Sequence, residues 1–174
     1  MQDFFERLGF PRRFLVNAGE LEREYLARSR AVHPDYHIAG SDAELAASLE
    51  LSAAVNEAYK VLRDPFSRAE YLLKLEGGPS ASEHKQMPPA YLAQMLEARE
   101  AIEQARGKPT EVAKLDADFS GRFETLMEQV AVLFARYEQL PANDPQRANL
   151  LIQVRSLLNA AKYVRGLLRD LQAD

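Results

Sequence analysis

The sequence predicts an all-α protein in two parts, an antiparallel helical hairpin with a polar tip followed by a three-helix bundle. Apolar residues recur at intervals of three and four along most of the chain, the period of helices with one buried face. Pro34 stands between two such stripes. It lacks a backbone donor and biases His33 away from helical angles, so one helix ends there and the next returns antiparallel to it. Later, Gly77-Gly78-Pro79-Ser80-Ala81-Ser82 reads as a linker, and three further helical patterns with short connections follow it.

Taken in order, Phe4-Phe5-Glu6-Arg7-Leu8-Gly9 is a short opening helix closed by glycine. Asn17 is placed to cap a second helix over Gly19–Val32, with Glu20 at the capping-box interval. That helix carries Leu21, Tyr25, Ser29 and Val32 inward. Position 28 falls on the same stripe but is Arg, expected at the rim with its stem packed and its charge in water. Ser41 and Glu44 form a second capping box, and the third helix runs to Arg63 with an expected stripe of Leu45, Leu49, Ser52, Val55, Ala58, Tyr59 and Leu62. Asp64 then caps and Pro65 opens a fourth helix, Phe66 to Glu76, too apolar to face water all round and expected to bridge the two parts. The boundary is placed at 77–87, giving an N-terminal domain of 1–76 and a C-terminal bundle of 88–174. In the bundle, helices are expected over Pro89–Arg106, Thr110 to about Leu140, and from the Asn143-Asp144-Pro145 cap to about Gln172, with Gly121 a weak point in the middle one.

Composition narrows the function classes. Lys and Arg number 10 against 12 Asp and Glu over residues 1–75, and 12 against 14 over the remainder, so neither part offers the basic field that nucleic-acid binding requires. The chain has no cysteine, which removes disulfides, thiolate catalysis and any cysteine-held zinc or iron–sulfur cluster. No apolar run approaches the roughly 18 residues of a membrane span, and no signal-peptide pattern opens the sequence. A cytoplasmic protein without membrane, metal or cofactor is expected.

A polar tripeptide at a helical tip buries nothing, so a demand from outside the fold explains it best. The set formed by the opening helix, His33-Pro34-Asp35 between antiparallel helices, Asn56-Glu57-Ala58-Tyr59 to Asp64-Pro65, and Arg68-Ala69-Glu70-Tyr71-Leu72-Leu73 resembles the J-domain of chaperone partners. Together with the downstream bundle, it is similar to the HscB-type co-chaperones of iron–sulfur cluster assembly. The resemblance implies a non-enzymatic protein that stimulates the ATPase of a DnaK/HscA-type chaperone. It implies contacts through His33, Pro34, Asp35 and Tyr36, with Arg23 and Arg30 as the nearest basic side chains. In that family Asp35 would pair with a chaperone arginine, Pro34 would fix the loop and His33 would orient it. The chain departs from the family where the docking helix carries Glu22, Leu26 and Ala27 and where Tyr36 follows the tripeptide.

The helix from Pro89 holds two stripes. Tyr91, Met95, Ala98, Ile102 and Ala105 have core spacing, while Leu92 and Leu96 lie off that line beside Glu97 and Glu100. On pattern alone, a wide core stripe that includes both leucines is the preferred reading, since such stripes exceed 100°. The resemblance implies instead that Leu92, Leu96, Glu97 and Glu100 face outward to bind the cluster scaffold protein as client. Ala93 and Gln104 replace a larger apolar residue and an acid of the family, and Ser156 stands where the last helix would supply an aromatic, with Tyr163 two turns later.

Two alternatives stand beside this reading. One is a J-protein of similar fold with another client. The other is an all-helical metal-binding protein using His33, Asp35 and His37, against which the chain shows no helix-borne His/carboxylate set and no H-E-x-x-H, and it lacks G-x-S-x-G and Gly-rich phosphate motifs as well.

Overall fold

The computed structural model describes residues 2–33 and 41–173, with Leu92 and Ala93 by backbone alone. Among these residues it is all-helical: α1 (Phe4–Leu8), α2 (Ala18–Ala31), α3 (Asp42–Arg63), α4 (Pro65–Leu75), α5 (Pro89–Ala105), α6 (Pro109–Gln139) and α7 (Gln146–Gln172). They divide into two compact units, Met1–Leu72 and Leu73–Asp174, so the division falls inside α4.

Local chemistry explains the helix ends of the first unit. The Asp3 carboxylate accepts from the Glu6 amide while the Glu6 side chain reaches back to the Asp3 amide, and Gly9 closes α1 with φ 77°. Glycine suits that position because its φ lies in the left-handed region, which side chains rarely adopt. Arg28 is at the rim as expected, paired with Glu24 at 3.1 Å. Asn17 caps α2 by accepting from the Glu20 amide at 3.0 Å, but Glu20 turns to Arg23 instead of closing the box. Ser41 and Glu44 do close theirs.

α2 and α3 are joined through Tyr25 and Tyr59, whose rings stack at 4.0 Å with 8° between planes, and through the Tyr25 hydroxyl, which donates to Asn56 Oδ1 at 3.0 Å. The α3 stripe differs from the expected one in its first half. Leu49 is 53% exposed, whereas Ser48 is 4% exposed and donates to the Val32 carbonyl at 2.7 Å. Residues 48, 55, 58 and 62 therefore form the buried line. A hydroxyl is wanted at 48 because the last carbonyls of α2 have no helical partner.

The α3–α4 elbow is built on Asp64 and Arg68. Asp64 accepts from the Ser67 amide at 2.9 Å and caps α4 as expected. Arg68, itself buried, donates to the Leu62 carbonyl at 2.5 Å and lies 5.2 Å from the Phe14 ring centroid. Burial works against its charge, and the nearby Asp64 carboxylate opposes that effect. Tyr71 reaches back to α1, accepting from the Phe4 amide at 3.1 Å and stacking on the Phe4 ring at 4.4 Å.

In the second unit, α6 and α7 form a long hairpin on which α5 packs. Phe119, Leu126, Val130 and Phe134 of α6 meet a seam of Leu150, Val154, Leu158, Ala161 and Val164 on α7. α6 passes through Gly121 without interruption. Asp144 accepts from the Gln146 amide at 2.8 Å at the start of α7. The stretch 77–87, expected as a linker, is tied down. Gly77 and Gly78 amides donate to the carbonyls of Lys74 and Leu73, closing α4, and Asn159 Nδ2 donates to the carbonyls of His84 and Gln86 at 2.9 Å each.

Asp3 links this architecture to pH. Burial disfavours its charged form, but the Glu6 amide and the Arg12 guanidinium outweigh that and hold its carboxyl below the ordinary value of 3.8. A group whose pKa is depressed by folding gives stability that is present above the unfolded value and lost as pH falls through the folded one. Asp3→Ala is therefore expected to cost about 1 kcal/mol at pH 7, as lost N-caps do. In denaturant titrations, the gap from the parent should shrink as pH drops below about 4. A gap that persists unchanged at pH 3 would assign the cost to packing.

Candidate functional site

The first candidate surface lies at the end of the α2–α3 hairpin where the two helices are connected. α2 ends with the Val32 amide bonded to the Arg28 carbonyl at 3.1 Å and the His33 amide to the Arg30 carbonyl at 3.3 Å. With Ser48 holding the Val32 carbonyl, the backbone is fixed up to the point where the exposed His33 side chain leaves it. Pro34, Asp35 and Tyr36, and with them His37, lie outside the described residues. Arg23 and Arg30 are both exposed on α2, Arg23 within 4.0 Å of Glu20. Leu26, between them in sequence, is also exposed.

The second candidate surface is on α5. Ala98, Ile102 and Ala105 are buried in the bundle, and Tyr91 and Met95 are half-buried, which is the expected core stripe. Leu96 is 75% exposed. The wide-stripe reading therefore fails for this residue, because Leu96 points away from α6 and α7. Leu92 lies in α5, and its side chain is outside the described ones. Glu97 and Glu100 are exposed, and among the described residues neither forms an ion pair. A solvent-facing leucine beside two uncommitted carboxylates can bury apolar area against a partner while selecting basic groups on it.

The contacts of several residues around this surface went unread in the sequence. Arg155 is 1% exposed, the largest fully buried side chain, and its Nε donates to Asn159 Oδ1 at 3.0 Å. Ser156 Oγ lies 2.9 Å from His84 Nε2. Tyr163 donates its hydroxyl to the Met95 carbonyl at 2.9 Å, so it serves α5 from the inside and is no free aromatic for a client. The available signal was the spacing of Ser156, Asn159 and Tyr163, which follows the same three–four period as the apolar seam. Beside them, α6 and α7 leave an open groove of about 720 Å³ lined by Val132, Leu133, Ile152 and Leu157 with His84 at its edge. No three His, Cys, Asp or Glu side chains converge as a metal site among the described residues.

An antiparallel hairpin with a histidine where its connection begins, followed by a separate bundle of three helices, is the organisation expected of the J-domain class with a helical second unit. The comparisons make this more specific. Residues 87–171 match the family model described as the HSCB C-terminal oligomerisation domain. The chain is 38% identical to the Co-chaperone protein HscB homolog of Chromobacterium violaceum over 130 residues, 74% of each chain. It is 35% identical to that of Bordetella petrii over 153 residues, 87% of this chain and 90% of the relative. The crystal structure of human co-chaperone protein HscB superimposes with a TM-score of 0.83 over 99% of this chain and 81% of that one, at 24% identity, a likeness of fold. This chain belongs to the HscB family of co-chaperones.

The Ser48 hydroxyl is the testable anchor of the first surface. Ser48→Ala removes the only side-chain partner described for the Val32 carbonyl, and is expected to cost about 1–2 kcal/mol of unfolding free energy. Chemical denaturation monitored by circular dichroism measures it, and a change under 0.3 kcal/mol would show that water replaces the hydroxyl at no cost.

Proposed function

We propose that this chain stimulates the ATPase of a DnaK/HscA-type chaperone through His33, Pro34, Asp35 and Tyr36, flanked by Arg23 and Arg30. On this reading it presents an iron–sulfur cluster scaffold protein as client on Leu92, Leu96, Glu97 and Glu100. The observation that carries the client half is the exposure of Leu96 on a helix whose other face is core. Exposed leucines occur elsewhere on this chain, Leu15 among them; what supports a partner at Leu96 is its place beside the exposed Glu97 and Glu100 at the positions where the family resemblance puts the client. The chaperone half is supported by the exposed His33 at the end of a helix held by Ser48. A domain organisation of 1–76, 77–87 and 88–174 goes with it, the middle segment acting as a packed connector. The chain carries out no chemistry of its own and works in the cytoplasm without cofactor. Holding chaperone and client on one chain raises their effective concentration for each other, which favours closure of the chaperone on that client.

Two variants test the halves separately. His33→Gln is expected to abolish stimulation of the chaperone ATPase while unfolding stays within about 1 kcal/mol of the parent, as for other exposed side chains. A variant that unfolds substantially would make His33 a structural residue. Leu96→Ala should weaken scaffold binding by about 2 kcal/mol, the cost of truncating an interface anchor, with unfolding unchanged and client-free ATPase stimulation intact. Isothermal titration calorimetry with purified apo scaffold reads the first quantity. Unaltered affinity would remove α5 as the client surface and favour a different client.

A further inference from the structure

The half of α5 that carries Leu92 and Leu96 is fastened differently from the half that follows it. Ala98, Ile102 and Ala105 are buried apolar anchors, whereas before Ala98 no described side chain of α5 is fully buried. α5 also begins at Pro88-Pro89 without a side-chain cap. Its first turns and the segment leading into them are instead held by polar side chains, one from α6, where Arg122 donates to Gln94 Oε1 at 3.0 Å, and the rest from α7. Asn159 donates to the carbonyls of His84 and Gln86, Ser156 meets the His84 ring, and Tyr163 donates to the carbonyl of Met95, the residue next to Leu96. Ser156, Asn159 and Tyr163 are separated by three and four positions, so they form one polar row along α7. Asn159 is turned toward its two carbonyls because the buried Arg155 Nε occupies its oxygen, which leaves the amide nitrogen to face the segment.

We infer that Asn159 and Tyr163 are positioning residues for the client surface: they set the place and order of residues 84–96, and through them the docking competence of Leu96. The inference rests on the proposed client role of α5. Apolar packing is non-directional and would let a helix of this kind slide or fray at its open end. Hydrogen bonds to backbone carbonyls at three points fix its register. A partner that needs Leu96 and Glu97 in one geometry then meets them already ordered, and the cost of ordering is not subtracted from binding.

The test uses the full-length chain with Asn159→Asp and Tyr163→Phe. Asn159→Asp keeps an oxygen for Arg155 and removes both donors to His84 and Gln86, while Tyr163→Phe removes only the hydroxyl. Amide hydrogen exchange is expected to accelerate at least tenfold over residues 87–96 in each variant and to stay unchanged over 98–105. Affinity for purified apo scaffold protein should fall five- to twentyfold, mostly as faster dissociation. Exchange that rises evenly along the bundle, or a drop in melting temperature without local loosening, would overturn the inference by making both residues general stabilisers. So would parent-like affinity in variants whose exchange is locally raised. A parent chain that does not bind scaffold at all would sink the client reading instead, and the exchange pattern would still decide whether the polar row fixes residues 84–96.

Discussion

The second unit is shaped by a mismatch of lengths. α6 has 31 residues and α7 has 27, while α5 has 17. At about 1.5 Å per residue the hairpin helices are roughly 40–47 Å long and α5 roughly 25 Å. A third helix therefore covers only part of the seam, and the remainder must be closed by chain that is not helical. That chain carries backbone groups that need partners, so polar side chains appear where apolar ones would otherwise serve. Asn159 answers the carbonyls of His84 and Gln86. Farther along, the Tyr137 hydroxyl donates to Glu76 at 2.7 Å, and Arg147 lies 3.7 Å from both the Glu76 carboxylate and the Tyr137 ring centroid while donating to the Tyr137 and Leu140 carbonyls. Burial and the Glu76 carboxylate both raise the Tyr137 pKa, which keeps the phenol a donor. The groove at Val132 and Ile152 is what this covering leaves open.

The first unit solves a smaller version of the same problem. Several of its helix ends are closed by side chains: Asp3 and Tyr71 at the start of α1, Ser48 at the end of α2, and Arg68 at the end of α3. Helix-end groups are orphaned by geometry, and an orphan left buried costs about 1–3 kcal/mol, more than most exposed contacts contribute. Ser48 anchors the chain one residue before His33, which stands exposed at the end of α2. On the proposed function, stability and recognition rest on different residues.

That assignment also decides what could be read from the sequence. Caps are local, and Asn17, Ser41 with Glu44, and Asp64 were legible because residue type and interval carry the whole signal. Helix periodicity gave the elements to within a few residues for the same reason. Ser48 was not legible: a serine next to Leu49 looks like the polar neighbour of a core leucine until the Val32 carbonyl is seen beneath it. Asn159 failed in the same way, since the carbonyls it serves lie more than 65 residues away in a segment that composition alone marks as a linker. Leu96 was ambiguous because periodicity fixes only a helix's buried direction, and its width depends on how closely the neighbouring helices approach.

The energetics of the α5 surface bear on how such a protein would work. Burying one leucine contributes about 1.5–3 kcal/mol, and association costs at least about 4 kcal/mol before any contact is made. The proposed face, Leu92 and Leu96 with exposed carboxylates that are screened at physiological salt, is small for tight binding. On the proposed function this is an advantage, because a client that must pass to a chaperone has to leave. Pre-ordering by Asn159 and Tyr163 raises what a small face can achieve without enlarging it, and tethering to a chaperone-contacting unit supplies the rest by proximity. A larger apolar face would bind better and release worse, so on the proposed function a small client face suits transfer rather than storage.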